Sequence, residues 1–463
     1  MIHQFKSDRL LHFHSNKDSI EVAKPKIYLK IFTIIFLLFA YYSLSKVIPN
    51  RIDSGDTFEL HVQSLSLAHL KTIYLDYYKQ YLPPTRHKQG THGHIYSKYG
   101  IGLPFLTAVN MKIFKNLHLN KGIEDFTMMQ LTSILFFLLA SWCGWRLLSD
   151  LNPQPHQKWF NLLIIFGYTF STLATYYSYG WPGNSIEASL LFISFYLFYL
   201  ALRDDNIRYK TLCWAGVVLG IAGLSRSFAF ITAPAFALYL LLTYSQGRFP
   251  TLTLIKSKIH PLLKSALYFY LPVMLSIALH FIILRKKMGF WWGNPYAGEH
   301  FDSPFLIGFL GSLFWPGKSF IFFSPLVILS IPALWALFKR HRPLFFFSLY
   351  LIAAYVILMS KWWAWWSGGD MGQRFWLPIL AFMIFPIALL RAKTVKLLAL
   401  VLIIFGITIQ VNLFKQDPRS IWERIYTNHP DFKETAIDQT IKDGRVLEAI
   451  KLTFIDMVFF KNL

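Results

Sequence analysis

Long uncharged, apolar stretches alternate with short clusters of charge along most of the chain. Within them the hydrophobic residues run on without the period of a half-buried helix or strand. Eleven stretches stand out. They fall between Lys30 and Lys46, Asp125 and Arg146, Lys158 and Glu187, Glu187 and Arg203, Lys210 and Arg226, and Arg226 and Arg248. The rest lie between Lys264 and Arg285, Lys318 and Lys339, Arg342 and Lys361, Arg374 and Arg391, and Lys396 and Lys415. A helix crosses a bilayer with about 20 mostly apolar residues, and with fewer where flanking Lys and Arg reach back to the interface. Each stretch therefore predicts a helix, and together they predict an all-α polytopic membrane protein with about eleven transmembrane helices.

Composition agrees. A chain of 463 residues that is 54% hydrophobic and only 15% charged is not a set of water-soluble domains. The formal charge of +22 would suggest nucleic acid in a soluble protein. Here the basic residues gather in loops. The five short loops on one side, beginning at Arg146, Arg203, Arg248, Lys339 and Arg391, hold 15 Lys and Arg, against 7 in the four short loops opposite. That bias predicts a cytoplasmic N-terminus and an extracytoplasmic C-terminus. The first apolar run follows a charged leader and has no small-residue cleavage site, so it reads as a retained anchor. Cys143 and Cys213 both lie inside apolar runs, which excludes a disulfide framework and a thiolate metal site.

Residues 1–414 are expected to form one transmembrane domain with two large outer loops, 49–124 and 285–318, and residues 415–463 a small extracytoplasmic tail or interfacial helix. Long loops between spans usually carry function. In the first, Ile101 to Phe114 is apolar but interrupted by Pro104, Asn110 and Lys112, which suits a helix lying in the membrane interface. Gly216 and Gly220 form a GxxxG pair and read as helix packing.

Common soluble-enzyme motifs are absent: no HExxH, no GxGxxG after a strand, no GxSxG. Gly311 to Ser319, GSLFWPGKS, has one residue too many between its glycines to be a phosphate loop. The first outer loop opens with RIDSGDTFEL, placing Asp53, Asp56 and Glu59 just past the first span. A carboxylate at the rim of a membrane cavity can serve as a base, and Asp56 is the favoured catalytic residue; for all three the alternative is loop solvation, or for Asp56 an N-cap. Lys98, in HIYSKYGIGLPFL, can meet a phosphate as a point charge, or anchor the interface. Arg226 in GLSRSFAF and Arg374 in WWAWWSGGDMGQRFWLP lie so deep that each needs a partner: a phosphate, or an acid such as Glu187 or Asp370. Asp76, Tyr96, Tyr99, Glu299 and Asp370 complete the polar candidates for substrate contact. His87, His92 and His94 make only a weak metal pattern. No cofactor is called for, and a divalent cation is left open. Trp362, Trp363, Trp365 and Trp366 suit an interfacial belt or a platform for sugar faces.

The order SGDTFEL, YLDYY, HIYSKYGIGLPFL, GLSRSF, WPGKSFIFFSPL and WWAWWSGGDMGQRFWLP resembles the bacterial polytopic glycosyltransferases of the GT-C class, relatives of protein O-mannosyltransferases and of the transferase that adds aminoarabinose to lipid A. The resemblance runs from about Ile31 to about Phe414. It implies eleven to thirteen transmembrane helices, interfacial helices in the first outer loop, residence in the bacterial inner membrane, and a polyprenyl-phosphate-linked sugar as donor. It also implies an essential acid just after the first helix, matched by Asp56, and basic residues at the donor phosphate, matched by Lys98, Arg226 and Arg374. The chain departs from the class at Thr57, where a second acid often follows.

These readings meet in an expectation of sugar transfer to a hydroxyl of a glycan, lipid or protein on the extracytoplasmic face, with inversion at the anomeric carbon. A transporter or flippase for a lipid-linked or anionic substrate is the alternative, although no repeat symmetry of that kind is visible. A scaffold subunit with a decayed site is a second rival.

Overall fold

A computed structural model describes residues 55–82, 88–116, 125–204, 206–247, 258–289, 291, 299–315, 317–368 and 370–415. The chain divides into Met1–Ile48, which lies outside the described residues, and Pro49–Leu463, to which everything below refers. The first expected span, Asp53, His87 and the tail after Lys415 likewise lie outside them.

The described residues are helical almost throughout, and their strands form one small antiparallel ribbon. In chain order the helices are α1 (Gly55–Leu65), α2 (Gly102–Asn116), α3 (Asp125–Leu151), α4 (Lys158–Phe170), α5 (Leu173–Gly180), α6 (Pro182–Leu202) and α7 (Tyr209–Ser225). There follow α8 (Ala233–Tyr244), α9 (Ile259–Met288), α10 (Phe305–Phe314), α11 (Ser330–Arg340), α12 (Arg342–Lys361), α13 (Leu377–Ile384) and α14 (Lys393–Lys415). The ribbon pairs β1 (Lys88–Gln89) with β2 (Ile95–Tyr96). Six helical stretches among the described residues are long and apolar enough to cross a membrane: 127–151, 182–202, 227–244, 259–288, 342–361 and 393–414. This is an all-α polytopic membrane protein.

The apolar runs differ in how they face their neighbours. The apolar window of α6 is 83% buried, whereas that of α9 is 17% buried, so α6 stands in the centre and α9 at the edge. On α9 the outward side chains Leu263, Leu267, Leu271 and Leu275 recur every fourth residue as one stripe. On α6, Phe192, Phe195 and Phe198 are fully enclosed. Phe195 packs 4.5 Å from Phe347 of α12, and Phe198 packs 4.7 Å from Phe269 of α9. Lipid tails are as apolar as these side chains, so close aromatic packing, not escape from water, holds such helices together. The GxxxG pair on α7 faces α9: a Cβ on Gly216 would stand 2.1 Å from the Phe269 carbonyl oxygen, and one on Gly220 2.0 Å from Ser276 Oγ.

Several expected spans are broken. The run from Lys158 to Glu187 bends at Ser171 and Thr172, whose hydroxyls donate to the carbonyls of Gly167 and Tyr168 while Thr172 also caps α5. Local side-chain bonding of this kind competes with helix continuation. The run after Lys318 is split by Pro325 into the turn Phe320–Phe323, the 3-10 segment Pro325–Leu329 and α11. The loop expected over 285–318 is shorter than the sequence suggested, because α9 runs to Met288 and the apolar α10 occupies its second half. The stretch expected as an interfacial helix is α2; it buries Leu103, Thr107 and Met111 and leaves Phe105, Val109 and Ile113 exposed.

Candidate functional site

Several helix ends and the loops between them meet around a cavity of about 160 Å³, and Asp56, Lys98, Arg226 and Arg374 all line it. Asp56 lies on a helix, and the three cations are delivered by breaks in regular structure. Asp56 stands in the first turn of α1, not ahead of it as an N-cap, where its charge complements the positive end of the helix. Lys98 lies in the short link between β2 and α2. Arg226 is the extended residue that terminates α7 (φ −144°, ψ 118°) before the 3-10 turn Ser227–Thr232. Arg374 opens the 3-10 turn Arg374–Trp376, where Gln373 Oε1 accepts the Phe375 N–H.

Acids sit beside every one of these cations. The Arg374 guanidinium is 2.9 Å from Asp370 Oδ2 and 3.8 Å from Asp56 Oδ2, so it stands between two carboxylates. Arg226 Nε is 3.5 Å from Glu187 Oε2, and the other oxygen of Glu187 accepts the Tyr355 hydroxyl at 2.7 Å. Lys98 Nζ lies 2.9 Å from Glu299 Oε1. The ion pairs that the sequence offered as the alternative to phosphate for both arginines are thus present, and both side chains still face the cavity. Burial pushes the Asp370 carboxyl up to about 7, against the opposing pull of Arg374, Lys318 and the Trp181 N–H.

Aromatic residues complete the wall: Trp181, Trp362, Trp363, Phe375 and Phe228 line the cavity beside Tyr99. Trp181 Nε1 donates to Asp370 Oδ1 at 2.6 Å. Trp365 lies elsewhere, buried against Gly311 and near Trp315, so the tryptophan cluster is divided between the cavity and its support.

Behind the cavity, Lys318 is fully buried and donates to the carbonyls of Gly368 and Asp370, both at 2.5 Å. The GSLFWPGKS segment therefore holds the loop that carries Asp370, a role the failed phosphate-loop comparison did not suggest. A lysine bounding an apolar run reads the same in sequence whether it reaches outward to the interface or inward to carbonyls. Gly372 in that loop has φ 73°, and a Cβ there would meet Leu173 at 2.6 Å.

The remaining candidates fall outside the cavity wall. Glu59 Oε1 accepts the Lys98 backbone N–H at 2.7 Å and acts on the site from behind. Asp76 binds His94 Nδ1 at 2.8 Å and the Ile95 N–H at 2.9 Å, stitching the ribbon. The Tyr96 hydroxyl donates to the Lys286 carbonyl at 2.8 Å, and burial raises its pKa. His92 and His94 join no cluster: no three His, Cys, Asp or Glu side chains among the described residues come together as a metal site.

No protein-family model matches the chain, and no curated protein does. Its structure is similar to the crystal structure of ArnT from Cupriavidus metallidurans bound to undecaprenyl phosphate, with a TM-score of 0.48 and 11% sequence identity, over 94% of this chain and 76% of that one.

Proposed function

We propose that this chain is a membrane glycosyltransferase of the GT-C class, moving a sugar from a polyprenyl-phosphate donor to a hydroxyl acceptor on the extracytoplasmic face of the bacterial inner membrane. One observation carries the reading: two acids, Asp56 and Glu299, and three cations from widely separated segments meet in a single aromatic-walled cavity. Single displacement asks for that set. The acceptor oxygen attacks the anomeric carbon, the bond from that carbon to the phosphate oxygen breaks, and the phosphate leaves with the electron pair. A phosphate departs without needing a proton, so the protein has mainly to activate the acceptor and hold charge.

In this scheme Asp56 takes the acceptor's proton, and the attack inverts the anomeric carbon. Lys98, Arg226 and Arg374 hold the donor phosphate through charge-assisted hydrogen bonds. Their acid neighbours keep them from being bare charges in a low-dielectric setting when no donor is present. The tryptophans offer flat apolar faces to a sugar ring. We further read the chain as carrying eleven to thirteen spans, with its N-terminus in the cytoplasm and the loop holding Asp56 and Lys98 outside.

The test is transfer from a panel of radiolabelled polyprenyl-phosphate sugars by the purified chain in liposomes, with Asp56→Asn alongside. Turnover by the wild type and its loss in the variant are expected. Protein-dependent movement of label between leaflets, with no transfer from any donor, would replace the transferase reading with that of a flippase.

A further inference from the structure

Lys287 takes no part in the scheme above, yet it is a cation almost wholly withdrawn from water, 4% exposed. It lies in the last turn of α9, beside Arg285 and Lys286, where positive charge complements the negative end of the helix. Gly289 closes that turn in the left-handed conformation, its N–H on the Arg285 carbonyl at 2.8 Å. The helix end is docked tightly on the ribbon, since a Cβ on Gly90 would stand 1.8 Å from the Lys287 carbonyl oxygen.

From this fixed base the Lys287 ammonium donates to the carbonyls of Ser97 and Tyr99, each at 2.8 Å. These are the residues on either side of Lys98. From another helix, Glu59 of α1 accepts the Lys98 N–H at 2.7 Å. Three charge-assisted bonds thus grip three consecutive residues, and the side chain between the two carbonyls is the cation that lines the cavity. A buried ammonium is a costly filler, and a methionine would occupy the space without desolvating a charge. The two-pronged grip on the backbone is what the ammonium adds.

We propose that Lys287 is a positioning residue for Lys98: it fixes the backbone that aims the Lys98 ammonium at the donor phosphate. The proposal rests on the reading of Lys98 as a phosphate ligand, and the two separate in one experiment. Binding of a radiolabelled polyprenyl phosphate without sugar is measured on the full chain in liposomes for Lys98→Ala, Lys287→Met, Lys287→Arg and the double variant Lys98→Ala/Lys287→Met, with thermal stability recorded for each.

Lys98→Ala and Lys287→Met are each expected to weaken binding by about tenfold, with the double variant no weaker than Lys98→Ala alone and Lys287→Arg recovering most of the loss. Weak binding in Lys98→Ala with wild-type binding in Lys287→Met would overturn the positioning role, as would losses that multiply in the double variant. Wild-type binding in Lys98→Ala would instead remove the reading of Lys98 itself. Should Lys287→Met fail to accumulate, Glu59→Gln and Gly90→Ala loosen the same grip. Weakening by these two on the wild-type background only is expected, and weakening that persists on Lys98→Ala would overturn the proposal.

Discussion

The guanidinium carbon of Arg374 sits 3.8 Å from the centre of the Trp181 ring, and the same indole donates its N–H to Asp370, the acid that pairs with Arg374. One tryptophan therefore supports both members of the ion pair, through its face and through its edge. Trp181→Phe keeps a face and loses the donor, whereas Trp181→Leu loses both. We expect Trp181→Phe to raise donor KM a few-fold and Trp181→Leu at least tenfold, since a desolvated cation–π contact is worth about 2 kcal/mol. Equal effects in steady-state kinetics of the two variants would assign everything to the hydrogen bond.

Asp370 gives a pH dependence with a definite sign. Its carboxyl is raised to about 7, so it is neutral below that pH and charged above it. Ionised, it draws Arg374 away from a bound phosphate; protonated, it leaves the guanidinium to the ligand. Donor KM should therefore rise as pH increases through about 7. Asp370→Asn cannot ionise and should hold its low-pH KM across the range, and a persisting limb in that variant would assign the titration elsewhere.

Arg226 and Glu187 separate stability from activity. Glu187 is buried, so removing Arg226 leaves its carboxylate with the Tyr355 hydroxyl but without its cation. Arg226→Met should accordingly lower thermal stability strongly, and adding Glu187→Gln should restore most of it. Turnover should remain lost in the double variant, because the cavity still lacks one of its three cations. Recovery of turnover together with stability would show that Arg226 serves the fold alone.

The α7–α9 contact is a matter of space. Gly216→Leu would drive a side chain into the Phe269 carbonyl and part the helices. Since α9 carries Lys287, donor binding should fall along with thermal stability. Gly216→Ala, a smaller intrusion at the same point, should fall between this variant and the wild type in a detergent melting assay.

Much of the helical layout was legible because charge is expensive in a bilayer, so Lys, Arg, Asp and Glu mark where apolar runs end. Breaks inside the runs were not legible in the same way: Ser171, Thr172 and Pro325 cost no charge, and a count of charges passes over them. The residues of the cavity were legible as unusual ones, an acid after a span and arginines too deep for solvent. What held them was less visible. Lys287 and Lys318 resemble interface anchors in sequence, and only the packed structure shows their ammonium groups turned inward onto carbonyls. Trp181, too, differs from the other tryptophans only through what it touches.

The cavity takes Asp56 from the start of α1 and Arg374 from the turn that precedes α13. During synthesis the first of these emerges long before the second. A nascent chain stalled between them displays the acid with neither Arg374 nor the loop pinned by Lys318. The complete cavity wall is then an attribute of the finished chain, and a copy that stops short of Arg374 carries only part of it.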